Sequence, residues 1–141
     1  LVHSEMVGRN VGLELDLAPR LPAILAGRVE MQQVLLNLMV NAMDAMRDQP
    51  ADRRQLRIQT SAADGRVRVA LRDRGHGIPE NAMADIFRPF FTTKTHGLGM
   101  GLSISRSMVE AHGGKLWAEN APDGGAIFWI EMPVCSAESA S

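Results

Sequence analysis

The 141-residue sequence predicts an α/β two-layer sandwich, a mixed β-sheet with its helices on one face. Three observations carry that expectation. QLRIQTS and RVRVALR alternate apolar and polar residues with period two around Ala63-Asp64-Gly65, which signals a hairpin. Around QQVLLNLMVNAMDAM and LSISRSMVEAH, apolar residues recur at helical spacing instead. The two kinds of segment follow one another as βα-ββ-αββ, with a long glycine-rich stretch before the last unit.

Taken in order, VGLELDL (11–17) alternates as a strand does and is closed by Pro19 and Pro22. Gly27 can cap a helix running from about Arg28 to Arg47. After the hairpin, a short helical piece is expected near residues 80–87. The helix over 102–112 stops at Gly113-Gly114, a good C-terminal cap, with His112 in a capping role. GKLWAEN and AIFWIEMPV, joined by PDGG, complete the sheet. Residues 1–9 read as a linker or helix end, 10–134 as the domain, and 135–141 as a disordered tail. Opening on Leu1 rather than methionine, the chain reads as a fragment of something longer.

Composition excludes several classes. With 45% hydrophobic and 22% charged residues, the chain suits one globular core. A net charge of −1 gives no electrostatic reason to expect nucleic acid or a membrane surface. Basic residues concentrate from Arg47 to Arg74, but they alternate with apolar residues in strands, so a solvated sheet face is expected there. Cys135 is alone and cannot form an internal disulfide, which fits a reducing, cytoplasmic setting. No apolar run reaches the roughly 18 residues of a membrane span, and no signal peptide is visible.

Three features point to chemistry. Asn37 and Asn41 sit one turn apart in an apolar helix, and a buried amide without a partner costs about 1–3 kcal/mol. They need either a polar network with nearby backbone or a ligand. Asp73-Arg74-Gly75-His76-Gly77-Ile78 follows a strand directly. A carboxylate there, with two glycines after it, suits a hydrogen-bond donor lying close to backbone, such as an adenine amino group; a plain turn is the competing reading. Gly97-Leu98-Gly99-Met100-Gly101-Leu102 opens a helix, where backbone N–H groups and the positive helix end suit phosphates. It is neither a dinucleotide fingerprint nor a P-loop. A loop as long as Asp73 to Leu102 inside a compact domain is usually functional.

In this order and spacing, NLMVNAMDA, DRGHGI, FRPFF and GLGMGL resemble the N, G1, F and G2 boxes of the histidine-kinase catalytic domain. That family shares a superfamily with gyrase-type ATPases, heat-shock chaperones and mismatch-repair ATPases. FFTTK followed by GLGMGLSISRSMVEAHGG resembles the subgroup related to oxygen and nitrogen regulators. The resemblance covers roughly residues 10–134 and implies a Bergerat-type ATP-binding fold, with an ATP lid from about Pro79 to Met100.

It implies ATP and Mg²⁺ as cofactors, with Asn41 giving an amide oxygen to Mg²⁺ and Asn37 assisting from one turn earlier. Asp73 would accept from the adenine amino group, Gly75 and Gly77 would let the base lie against backbone, and Ile78 would form an apolar wall. Phe87, Phe90 and Phe91 would pin the lid, and Ala126 would lie near the adenine. Within the lid, Thr92, Thr93, Lys94 and His96 would face the nucleotide; Lys94 is the best cation for the phosphates, with Arg88 and His96 behind it. Gly97, Gly99 and Gly101, with the N–H groups of Leu98, Met100 and Leu102, would cradle the phosphates. The catalytic set is then Asn37, Asn41 and Lys94. Asp44 and Gly27 depart from the family, standing where some relatives carry lysine and aspartate.

The implied activity is transfer of the γ-phosphoryl group to a histidine for relay to a response regulator; a superfamily ATPase or a non-catalytic nucleotide-binding module is the alternative. One residue favours transfer. The superfamily's ATPases carry a water-polarising glutamate where this chain has Asn37, and an amide has no useful basicity. None of His3, His76, His96 and His112 has the family's acceptor context. The acceptor is therefore expected on the dimerisation domain of a homodimeric parent kinase, with a receiver domain as the onward partner.

Overall fold

The computed structural model describes residues 8, 10–18, 28–88 and 101–134, apart from the side chains of residues 28, 29 and 63. Its elements are β1 (Gly12–Asp16), α1 (Arg28–Ala45), β2 (Gln55–Ala63), β3 (Arg66–Arg72), α2 (Gly101–Ala111), β4 (Lys115–Asn120) and β5 (Ala126–Pro133). The strands form one sheet in the order β1-β2-β3-β5-β4, parallel between β1 and β2 and antiparallel elsewhere. This is the mixed sheet with helices on one face that the pattern predicts.

Period two decides the two faces. Leu56, Val67, Leu71, Leu116, Phe128, Ile130 and Met132 are buried on one side. All but Val67 belong to a single core with Val34, Leu38, Met43 and Met46 of α1 and Val109 of α2. The opposite face carries the basic stretch. Arg57 lies 3.2 Å from Glu14 and 3.3 Å from Asp16, and Arg72 pairs with Asp123. Arg68 and Arg66 flank the buried Glu131 at 2.7 and 3.5 Å. Trp117 and Trp129 stack there with centroids 6.0 Å apart, and Arg68 lies over Trp117. The arginines neutralise local carboxylates, as expected of a sheet face and not of a binding patch.

Local chemistry sets the boundaries. Asp64 (φ 54°) and Gly65 (φ 74°) both take left-handed conformations, giving a two-residue turn that lets β2 run to Ala63. Past the end of α1, Arg54 donates to the Arg47 and Gln49 carbonyls, which the helix leaves unsatisfied. At the end of α2, Gly113 (φ 81°) donates to Glu110 and Gly114 to Val109, the paired bonds of a glycine cap. His112 Nδ1 lies 2.8 Å from the Met108 carbonyl, in the capping role expected of it.

One expectation needs correction. Residues 80–87 form consecutive turns and not a helix. Bonds such as Ala82 to Pro79 and Asp85 to Ala82 close over three residues, while buried Ala82 and Ile86 hold the segment on the core. Among the described residues no helix is long and apolar enough to cross a membrane.

Candidate functional site

β3 ends by delivering Asp73 into the interior, where it is 1% exposed. Its Oδ1 accepts from the Gly75 amide at 2.8 Å and from the Ala126 amide at 3.2 Å. Oδ2 accepts no bond among the described residues. Burial raises the carboxyl's pKa above its ordinary value, and the two amide bonds and the positive fields of His76 and Arg72 oppose that shift. One oxygen is thus fixed by backbone and the other is available to a donor.

The glycines around it have identifiable reasons. A Cβ on Gly75 would come within 2.5 Å of the Ala45 carbonyl, so this glycine lets the turn abut the end of α1. Its bare face therefore meets a helix, where the sequence reading had placed a base. Gly77 (φ 80°) takes a left-handed conformation beside Asn120 Oδ1. Gly125 (φ 81°) was not foreseen: a Cβ there would collide with the Asp73 carbonyl. In the sequence it is only part of a turn signal.

Asn120 was also missed. Its Oδ1 accepts from the Ile78 amide at 2.7 Å and its Nδ2 donates to the Ile78 carbonyl at 2.8 Å. An asparagine at a strand end reads as ordinary turn chemistry, and nothing local points 42 residues back.

The two asparagines of α1 behave differently. Asn37 Oδ1 accepts from Gln33 at 3.1 Å, and its Nδ2 donates at 3.2 Å to Ser105 Oγ, which is completely buried on α2. The half-buried Asn41 amide has no hydrogen-bond partner among the described residues. Asp44, 13% exposed, lies 3.7 Å from Arg47.

These contacts order the site along α1. At one end the Asp73 turn rests on Ala45, with the Arg74 amide 3.3 Å from Met46 Sδ. At the other, Asn37 holds Ser105, one turn inside the helix that Gly101 and Leu102 begin. Asn41 lies between them. From Asn37 to Ala45 the helix rises about 12 Å. Phe87 packs edge-on to Phe128, with centroids 6.3 Å apart, and Arg106 covers its ring, which anchors the first part of the segment expected to form the lid. Phe90, Phe91, Thr92, Thr93, Lys94, His96, Gly97, Leu98, Gly99 and Met100 lie outside the described residues.

Comparison with known proteins identifies the family and the fold. The family model for histidine kinase-, DNA gyrase B- and HSP90-like ATPases matches residues 26–136. The sensor protein FixL of Bradyrhizobium diazoefficiens is 46% identical over 126 residues, covering 89% of this chain and 25% of FixL. The chain thus spans a quarter of that relative's length. The nucleotide-free catalytic domain of histidine kinase ThkA superposes with a TM-score of 0.81 at 35% identity, covering 94% of this chain and 84% of that one. Full-length ShkA in complex with AMPPNP gives 0.77 at 31% identity, over 96% of this chain and 29% of ShkA. ThkA in complex with response regulator protein TrrA gives 0.77 at 33%, over 94% and 36%. The chain belongs to the histidine kinase-, DNA gyrase B- and HSP90-like ATPase family, among the ATP-binding domains of bacterial sensor histidine kinases.

Proposed function

We propose that this chain binds Mg-ATP along α1, between the Asp73 turn and the start of α2, and presents the γ-phosphoryl group to a histidine of the parent kinase's dimerisation domain. The observation that carries this reading is the contrast within α1. Asn37 is engaged by Gln33 and Ser105, while the amide of Asn41, one turn on and midway along the site, has no hydrogen-bond partner among the described residues.

The residues fit the ligands. Asp73 Oδ2 is an acceptor in a turn whose neighbouring groups are backbone and Ile78, which suits an adenine amino group. Asn41 is a neutral oxygen donor of the kind Mg²⁺ takes alongside phosphate oxygens and water. No group of three or more His, Cys, Asp or Glu that could hold a metal occurs among the described residues, so most ligands would come from phosphates and water. When bound, Mg²⁺ supplies neutralisation of phosphate charge. Asn41 would hold it, and the amides at Gly101 and Leu102 would add the positive end of α2. Lys94 in the lid would add a cation.

Phosphoryl transfer rests mainly on positioning and charge stabilisation, with the nucleophile in line. Asn37, an amide bonded to Ser105, cannot take a proton from water. A neutral imidazole needs no such help. ThkA has been solved with TrrA and ShkA with AMPPNP, which supports a response-regulator receiver domain and an adenine nucleotide as partners here.

The test incubates the chain with γ-labelled Mg-ATP, alone and with its parent's dimerisation domain. We expect slow hydrolysis and no labelling of the chain alone, and an acid-labile, base-stable label on the added domain. Rapid turnover by the chain alone would make it an ATPase.

A further inference from the structure

We propose that Asn120 is a positioning residue for the nucleotide base, acting through the main chain of Ile78; this rests on the Mg-ATP reading above. Asn120 is the last residue of β4 and exposed, yet its amide makes two bonds to one distant residue, at 2.7 and 2.8 Å. One residue's N–H and C=O are both matched, as a neighbouring strand would match them. At neutral pH a side-chain carboxamide is what offers a neutral donor and acceptor side by side in one plane, and Gln would place them a methylene further out.

The clamp matters because of what it completes. Asp73 and Ile78 are the two ends of the six-residue turn DRGHGI. Asp73 is fixed by Ala126, and Ile78 by Asn120, and those two anchors face each other in the β4–β5 register. Both ends of the turn therefore hang from one bracket. The bracket is itself braced, because Ala121 donates to the Gly125 carbonyl at 2.9 Å and Asp123 pairs with Arg72. Asn120 Oδ1 also lies where a Cβ on Gly77 would approach to 3.0 Å, so the left-handed glycine and the clamp fit each other. Without Asn120, the Asp73 end stays fixed, and the Ile78 wall loses its only hydrogen-bonded tie among the described residues.

Because Asn120 is exposed, its removal leaves Ile78's backbone groups to water and not orphaned in a core, so folding should hardly change. The experiment measures binding of Mg-ATP and of Mg-tripolyphosphate, which has no base, to the wild-type chain and to Asn120→Ala. We expect ATP affinity to fall about tenfold, tripolyphosphate affinity to stay level and the melting temperature to stay within about 2 °C. Amide exchange at Ile78 should accelerate in the variant without any nucleotide.

Asn120→Asp gives a second, independent readout. Ionised, the introduced group repels the Ile78 carbonyl; protonated, its O–H donates there and restores both bonds. Its ATP affinity relative to wild type should therefore rise as pH falls toward about 4. Equal ATP affinity in Asn120→Ala and wild type, or parallel loss of ATP and tripolyphosphate, would overturn the proposal. A wild-type chain that binds tripolyphosphate but not ATP would instead overturn the nucleotide reading on which it rests.

Discussion

Asp73 and Ala126 are joined twice: the Asp73 amide donates to the Ala126 carbonyl at 3.0 Å, and Asp73 Oδ1 accepts from the Ala126 amide at 3.2 Å. The first bond prolongs the β3–β5 ladder. The second turns a carboxylate inward where it is almost wholly buried. A charge held there costs stability, which is tolerable only if the second oxygen has a use.

The first prediction follows from the direction of that carboxyl's shift. Its pKa is raised in the folded state, chiefly by burial. The folded chain then holds a proton that the unfolded chain releases, so stability declines as pH rises from the ordinary value of about 3.9 through the raised one. Asp73→Asn keeps Oδ1 as acceptor for both amides and removes the charge. At pH 7 without nucleotide, its melting temperature should exceed that of wild type, and the gap should close as pH falls below the ordinary carboxyl value of about 3.9. ATP affinity should nonetheless fall roughly 10- to 100-fold, because an amide N–H₂ can meet the adenine amino group. Melting curves across pH, with calorimetry at neutral pH, check both halves; a variant less stable than wild type at pH 7 would refute the burial argument.

The second prediction contrasts adjacent glycines. Gly124 (φ 109°) and Gly125 (φ 81°) both have positive φ, but a Cβ at Gly124 meets nothing within 4 Å, while one at Gly125 meets the Asp73 backbone. Gly124→Ala should cost backbone strain alone, about 1 kcal/mol. Gly125→Ala adds a collision with the Asp73 backbone, at the base end of the proposed site, so we expect about 2–4 kcal/mol and loss of ATP binding. Denaturant midpoints and nucleotide titrations of the two variants should separate them clearly.

The third prediction tests the bond between helices. Asn37 and Ser105 lie 68 residues apart in sequence and 3.2 Å apart in space. Removing either leaves the other short of a partner in a part-buried contact whose Ser105 side is fully buried. In a double-mutant cycle with Asn37→Ala and Ser105→Ala, the coupling energy should be about 1 kcal/mol, and the double variant little worse than either single one. A coupling near zero would mean that the two side chains merely pass close.

What was legible in the sequence was what local rules encode. The hairpin follows from alternation around Asp64-Gly65, and the cap of α2 from Gly113-Gly114. The Asp73 turn was visible because a carboxylate and two glycines directly follow a strand. The contacts that shape the site were not visible. Asn120 with Ile78, Gly125 with Asp73 and Ser105 with Asn37 each join residues more than 40 apart, through a sheet order that only the folded chain establishes. Residues 80–87 show a subtler failure. The segment buries Ala82 and Ile86, but burial of a few residues does not require helical hydrogen bonds.

The last prediction separates the two asparagines with which the site is built. Asn37 is committed to Ser105, whereas the Asn41 amide has no partner among the described residues. Asn37→Ala should therefore destabilise the chain by about 1 kcal/mol, since it removes a partner from a fully buried hydroxyl. Asn41→Ala removes no such partner, and alanine is the better helix former by about 0.5 kcal/mol, so stability should be unchanged or slightly raised. Its effect should fall on the metal instead. Wild-type ATP affinity should drop when Mg²⁺ is withdrawn with EDTA, while Asn41→Ala should bind ATP weakly and equally with or without the ion. The base contacts of Asp73 would remain in both. Calorimetry with and without Mg²⁺, beside melting curves of both variants, reads the two effects separately. An Asn41→Ala variant that keeps the full Mg²⁺ dependence would remove this residue from the metal site and leave its unengaged amide without a role.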